Sequence, residues 1–243
     1  MRTFGRMPSP PSVLAPVVIP GTCNGPLESG NGGYSSGIFA ALADGPAEVS
    51  LRRPVPLDVE LTVEPDGDGV RVLVAGEVVA LVEPAGELAL DVPRVTPAEA
   101  RAAAAAYGGT DHGIFARCYV CGPEREDALR VFAGAVPGRG LVASTWTPPF
   151  WTGDARGHVL PEHVWAALDC PTYFASHLDA GFTMSFLVRM GARVDAPVVA
   201  GLEHVVVAWP LGVDGRKRHA ASAVLSASGE VLALARVLLV EAR

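Results

Sequence analysis

Residues 160–170 read Leu160-Pro161-Glu162-His163-Val164-Trp165-Ala166-Ala167-Leu168-Asp169-Cys170. Proline is tolerated in a first helical turn and Glu162 complements the positive end of a helix dipole, so the stretch predicts a helix over Pro161–Leu168. Its body, Val164 to Leu168, is apolar on nearly every side, unlike a surface helix, and has to be wrapped by other elements. Asp169 then sets a carboxylate at the end of a greasy helix. Burying an ionised side chain is costly unless it is paired or re-protonated. The acid therefore serves catalysis, or else pairs with an arginine or caps a backbone donor near Pro171.

Working outward, strands are predicted at Leu129–Phe132 and Leu141–Trp146 before this helix. Others follow near 182–193, Val198–Trp209, His219–Ser226 and Glu230–Val240, the last two joined across Ser228-Gly229. The same order occurs earlier in the chain. Asn31 stands as an N-cap before a helical pattern (Tyr34, Ile38, Ala41, Leu42) that stops at Gly45-Pro46. A meander of Leu57–Val63, Val70–Ala75 and Val78–Val82 then turns at Asp66-Gly67-Asp68-Gly69 and Gly76-Glu77. The expected domains are a tail over 1–12, a first unit over 13–92, a linker over 93–113 with one or two exposed helical turns in its alanine run, and a second unit over 114–243. The fold class is α+β: a tandem (double) hotdog, two antiparallel sheets each wrapped around a central helix.

A chain of 243 residues with 49% apolar residues can bury a real core. Its net charge is −7, with 13 acids against 7 bases in residues 1–110 and 13 against 12 thereafter. That balance excludes nucleic acid as an expected partner. The first residues lack the unbroken apolar stretch of a signal peptide and no window approaches 18 uncharged apolar residues. The expectation is a cytoplasmic, soluble protein with no membrane partner and four free thiols.

The second unit resembles hotdog thioesterases of the phenylacetyl-CoA and 4-hydroxybenzoyl-CoA type. Their domains often open with Cys-x-x-Cys-Gly and an apolar strand, and carry Leu-Asp at the end of the core helix. Here those residues are Cys118, Cys121, Gly122, Leu129 and Leu168-Asp169. Roughly residues 13–242 also resemble the double-hotdog acyl-CoA thioesterase II family, through Gly32-Gly33, Leu51-Arg-Arg-Pro54, Leu160–Asp169 and Leu202-Glu203-His204. The resemblance implies that Asp169 is the catalytic aspartate. It departs from the family at three places: Gly201 stands where a threonine is expected, Arg236 or Val237 where a glutamine is expected, and Asn31 where many single-domain relatives carry histidine.

Thioester hydrolysis needs a polarised carbonyl and an activated water. Gly32 and Gly33 at a helix start suit the first task through their N–H groups, or merely permit tight helix packing. Asp169 suits the second as a general base. Asn31 is either a partner that holds water or the thioester oxygen, or a plain N-cap. Tyr34, Glu162, His163 and Trp165 are candidate substrate-binding residues, with Tyr173 and Phe174 as further candidates for an acyl tunnel. Arg216-Lys217-Arg218 is a solvated turn or a grip for coenzyme A phosphates. Cys118 and Cys121 have half the spacing of a zinc site, and no second such pair accompanies them, so no metal is expected. Cys23, His112 or Cys170 completes a ligand set only if folding gathers them.

The expected function is acyl-CoA thioester hydrolysis, with coenzyme A as part of the substrate and no bound cofactor. The alternatives are a non-catalytic acyl-CoA or acyl-thioester binding protein, and a hotdog hydratase or dehydratase using His163 or His204. Sheet edges left to pair make a homodimer or higher homo-oligomer the expected assembly.

Overall fold

The structure, a computed structural model, describes residues 14–107, 113–178 and 183–242. The tail over 1–12 lies outside the described residues. The elements run β1 (Leu14–Val18), α1 (Gly32–Ala40), β2 (Ala47–Leu51), β3 (Glu60–Asp66), β4 (Gly69–Val74), β5 (Glu77–Pro84) and α2 (Pro97–Ala105). They continue through β6 (Gly134–Val136), β7 (Leu141–Trp146), α3 (Pro161–Ala175), β8 (Ser185–Val194), β9 (His204–Asp214), β10 (Lys217–Leu225) and β11 (Val231–Glu241).

All strands join one antiparallel sheet of 11 strands, in the order β1-β3-β4-β5-β2-β8-β11-β10-β9-β7-β6. This corrects the expectation of two separate sheets. The two halves meet where β2 pairs with β8, Glu48 opposite Gly191, Val49 opposite Met190 and Ser50 opposite Arg189. Neither edge in that seam is left unpaired, which removes two templates for stray strand addition.

Side chains alternate between the two faces, as strand geometry requires. On β9, Val206 and Ala208 enter the main core around α1 and α3, while Val205 and Val207 enter a smaller core beneath α2. The alanine run is therefore not an exposed turn. Thr96 caps it with a reciprocal capping box to Glu99, and Ala100 and Ala103 are buried against β6 and β7. The strand predicted over Leu129–Phe132 is also corrected. Arg130 has φ +57°, and Leu129 and Val131 instead donate to the carbonyls of Tyr119 and Val120 at 2.9 and 3.0 Å.

Helix α3 runs seven residues past its expected end, through Pro171 to Ala175. Proline denies a donor to the carbonyl four residues earlier and usually ends a helix. Here side chains bond the neighbouring carbonyls: Ser222 Oγ donates to Leu168 O and Thr172 Oγ1 to Asp169 O, both at 2.6 Å. Asp169 therefore sits in the middle of a buried helix, not at its tip.

Helices α1 and α3 pack against each other with exceptional closeness. A Cβ on Gly33 would lie 2.4 Å from Asp169 Cβ and 2.7 Å from Trp165 O, and one on Gly37 would lie 2.6 Å from Glu162 Cα. Carbon atoms prefer about 3.5–4.0 Å, so these two glycines are what lets the helices touch.

Candidate active site

The first turn of α1 and the middle of α3 meet beside a cavity of about 310 Å³. Asn31 caps α1, its Oδ1 accepting from Tyr34 N–H at 2.9 Å. Asp169 is 6% exposed, and its Oδ2 accepts from Gly33 N–H at 2.8 Å. A carboxylate at a helix N-terminus is favoured by orphan donors and by the macrodipole. Burial outweighs that help: it pushes the Asp169 carboxyl up to about 7, the Cys118 sulfur adding to the rise while Gly33 N–H and the Asn31 amide oppose it. No arginine pairs with Asp169 among the described residues.

Asn31, Gly32 and Asp169 line the cavity, and Gly33 stands behind them as the donor to Asp169. The apolar wall includes Phe115, Tyr173, Phe174, Leu187 and Leu239, so both tunnel candidates, Tyr173 and Phe174, reach it. Trp165 does not line it; it packs under Gly37 on the α1 side of α3. Tyr34, Glu162 and His163 also lie off the cavity. His163 Nδ1 meets Tyr119 OH at 2.8 Å, and the rings of Tyr34, Tyr119 and Trp151 surround it. This burial lowers the His163 imidazole from 6.5 to about 4.

His204 is buried near Trp146, held by Leu202 O at 2.9 Å, and does not line the cavity. Gly201 has φ +79° with a Phe150 ring carbon 2.5 Å from where its Cβ would be. A threonine cannot occupy it without strain, and the residue is not on the cavity. Two residues of the Arg216-Lys217-Arg218 turn are committed elsewhere: Arg216 donates to Glu241 O, and buried Arg218 donates to Glu241 and to Ser176 O.

Three further groups line the cavity. Exposed Arg52 and Arg53 follow β2 at its rim. Ser185 opens β8 on its wall, with Oγ 3.2 Å from His177 Nε2. The sulfurs of Cys118, Cys121 and Cys170 gather on one side. Hydrogen bonding from Cys121 and Cys170 draws the Cys118 thiol well below its usual range, while their bonds to Cys118, with burial, push Cys121 and Cys170 up. The Cys118-x-x-Cys121 spacing is local, and the fold adds Cys170, one of the residues the sequence offered to complete the set.

The fold is that of the hotdog proteins. A putative thioesterase from Novosphingobium aromaticivorans DSM 12444 superposes with a TM-score of 0.61 over 97% of this chain and 100% of its own, at 12% identity. A putative thioesterase II from Thermobifida fusca YX gives 0.58, with 89% of each chain covered and 13% identity. A protein of unknown function with a hot dog fold from Alicyclobacillus acidocaldarius gives 0.57 at the same coverage and identity. No family model matches the sequence, and no curated protein does. At these identities the likeness is one of fold. No helix among the described residues is long and apolar enough to cross a membrane.

Proposed function

We propose that the protein hydrolyses an acyl-CoA thioester to the free acid and coenzyme A, with Asp169 as general base. The observation that carries this reading is a buried carboxylate, held at a helix N-terminus and opening on an apolar cavity. A cavity of about 310 Å³ is at the small end for ligand sites and suits an acyl group, not the whole thioester. Coenzyme A then lies outside, its phosphates near Arg52 and Arg53 at the rim.

In this mechanism Asp169 takes a proton from water as the water oxygen bonds to the thioester carbon. The Gly32 N–H and the Asn31 amide stabilise the oxyanion. The tetrahedral intermediate collapses with cleavage of the C–S bond, and the departing thiolate takes the proton back from Asp169. Gly33 N–H, already bonded to Asp169, orients the base.

The competing reading is a protein that binds acyl thioesters without cleaving them. It is favoured by Gly201, which stands where a threonine is expected and where a threonine would be strained. Release of coenzyme A thiol from short, medium, long and aromatic acyl-CoAs separates the two. Asp169→Asn keeps an oxygen acceptor for Gly33 N–H, so the variant should fold and lose about 10²–10⁴-fold in rate. Wild type that binds acyl-CoA but releases no thiol refutes hydrolysis; an unaffected Asp169→Asn refutes the assigned base.

A further inference from the structure

The thiols of Cys118, Cys121 and Cys170 come from two distant parts of the chain, a turn ahead of β6 and the middle of α3. Their sulfur atoms all lie within 4.8 Å of one another, and those of Cys118 and Cys170 are 3.7 Å apart. Ligand sulfurs about 2.3 Å from a tetrahedral zinc ion stand about 3.8 Å from each other, so this spacing is that of a zinc site's edge. It is far longer than the roughly 2.05 Å of a disulfide, and three thiols leave one over in any pairing.

Backbone and amide donors face the sulfurs from outside the cluster. Val120 N–H points at Cys118 Sγ at 3.4 Å, and the Asn31 amide reaches Cys118 Sγ at 3.9 Å and Cys170 Sγ at 3.7 Å. Such outer donors stabilise charge on coordinating sulfur and fix its direction. The turn itself is shaped to present two sulfurs on one side. Gly122 N–H closes it on Cys118 O at 2.9 Å, and a Cβ at Gly122 would lie 2.4 Å from Cys118 N, so only glycine fits. His112, one of the ligands the sequence offered, lies outside the described residues; among the described residues no fourth histidine, cysteine or carboxylate joins the group, and all three cysteines line the cavity. A site with three protein ligands and one open position is the arrangement of reactive zinc, not of closed structural zinc.

We propose that Cys118, Cys121 and Cys170 bind one zinc ion as thiolates, with its fourth position open to the cavity. Binding releases the three thiol protons to solvent, and the resulting net charge of one negative unit faces the Asn31 amide and the positive end of α1. The site does not depend on thioester hydrolysis, and its test reads the metal alone.

Reduced, chelator-stripped full-length protein is titrated with Co²⁺ and then Zn²⁺. The expected result is one Co²⁺ per chain with a sulfur-to-cobalt charge-transfer band, bleached by one equivalent of Zn²⁺. Cys118→Ser, Cys121→Ser and Cys170→Ser should each weaken binding by at least about 100-fold, more than loss of an outer donor does. Cys23→Ser, which removes the thiol outside the cluster, should leave the spectrum unchanged. Zn²⁺ should also raise the Tm of wild type and not that of Cys170→Ser. Reduced wild type without the band or the Tm rise overturns the proposal. So does a Cys170→Ser protein that binds Co²⁺ as wild type does, or a Cys23→Ser protein that does not.

Discussion

Replacing Gly33 by alanine tests the contact on which the site is built. The new Cβ would stand 2.4 Å from Asp169 Cβ, and relief requires α1 and α3 to separate by about 1 Å. That movement stretches the 2.8 Å bond from Gly33 N–H to Asp169 beyond hydrogen-bonding distance. Overpacking costs about 1–3 kcal/mol and loss of a bond to a charged group about 1.5–3 kcal/mol. Alanine regains at most about 1 kcal/mol of helix propensity. The net loss is roughly 1.5–5 kcal/mol, and with an m-value near 3 kcal/mol/M the urea midpoint should fall by roughly 0.5–1.7 M. Gly37→Ala is the comparison, because its Cβ meets Glu162 Cα at 2.6 Å but touches nothing that holds Asp169. It should lose stability through packing alone and keep its thiol-release rate within a few-fold, while Gly33→Ala loses both. A Gly33→Ala protein as stable as wild type, or a Gly37→Ala protein with the greater loss of activity, refutes this account of the helix contact.

Gly201→Thr should not enhance thiol release, because the position faces Phe150 with φ +79°; about 1–3 kcal/mol of stability should be lost instead, read by urea unfolding. His163 supplies a pH test. Its imidazole is lowered from 6.5 to about 4, so between those values the unfolded chain binds the proton more readily and stability declines as pH falls, by up to about 1.4 kcal/mol per unit. Asp169, raised to about 7, acts in the opposite direction, so the measurement is the difference between wild type and His163→Gln in urea midpoint from pH 7 to pH 4.5. Equal slopes for the two proteins refute the burial argument for His163.

The elements legible in the sequence are those set by local chemistry. Asn31 reads as an N-cap because its side chain bonds a donor three residues away, and it does so at 2.9 Å. The β3 to β5 meander is marked by its Gly-containing turns. Strand β2 escaped because Ala47–Leu51 is short and follows a Gly-Pro stop, yet it is the strand that fuses the two halves into one sheet. The far end of α3 escaped because Pro171 reads as a terminator. The donors that bond its neighbouring carbonyls include Ser222, which comes from β10, 54 residues from Leu168.

The sequence by itself determined that a buried helix carries an acid, that another helix opens with a capped pair of glycines, and that antiparallel strands surround both. These follow from periodicity, capping and the cost of burying charge, which act over a few residues. Only the tertiary structure decided that Gly33 N–H, 136 residues from Asp169, is its partner, and that Cys170 joins Cys118 across 52 residues. Such meetings depend on which strands pair and how closely two helices approach, and that closeness was set by two missing Cβ atoms, at Gly33 and Gly37. A glycine in a sequence shows that a side chain is absent; the fold shows what fills the space.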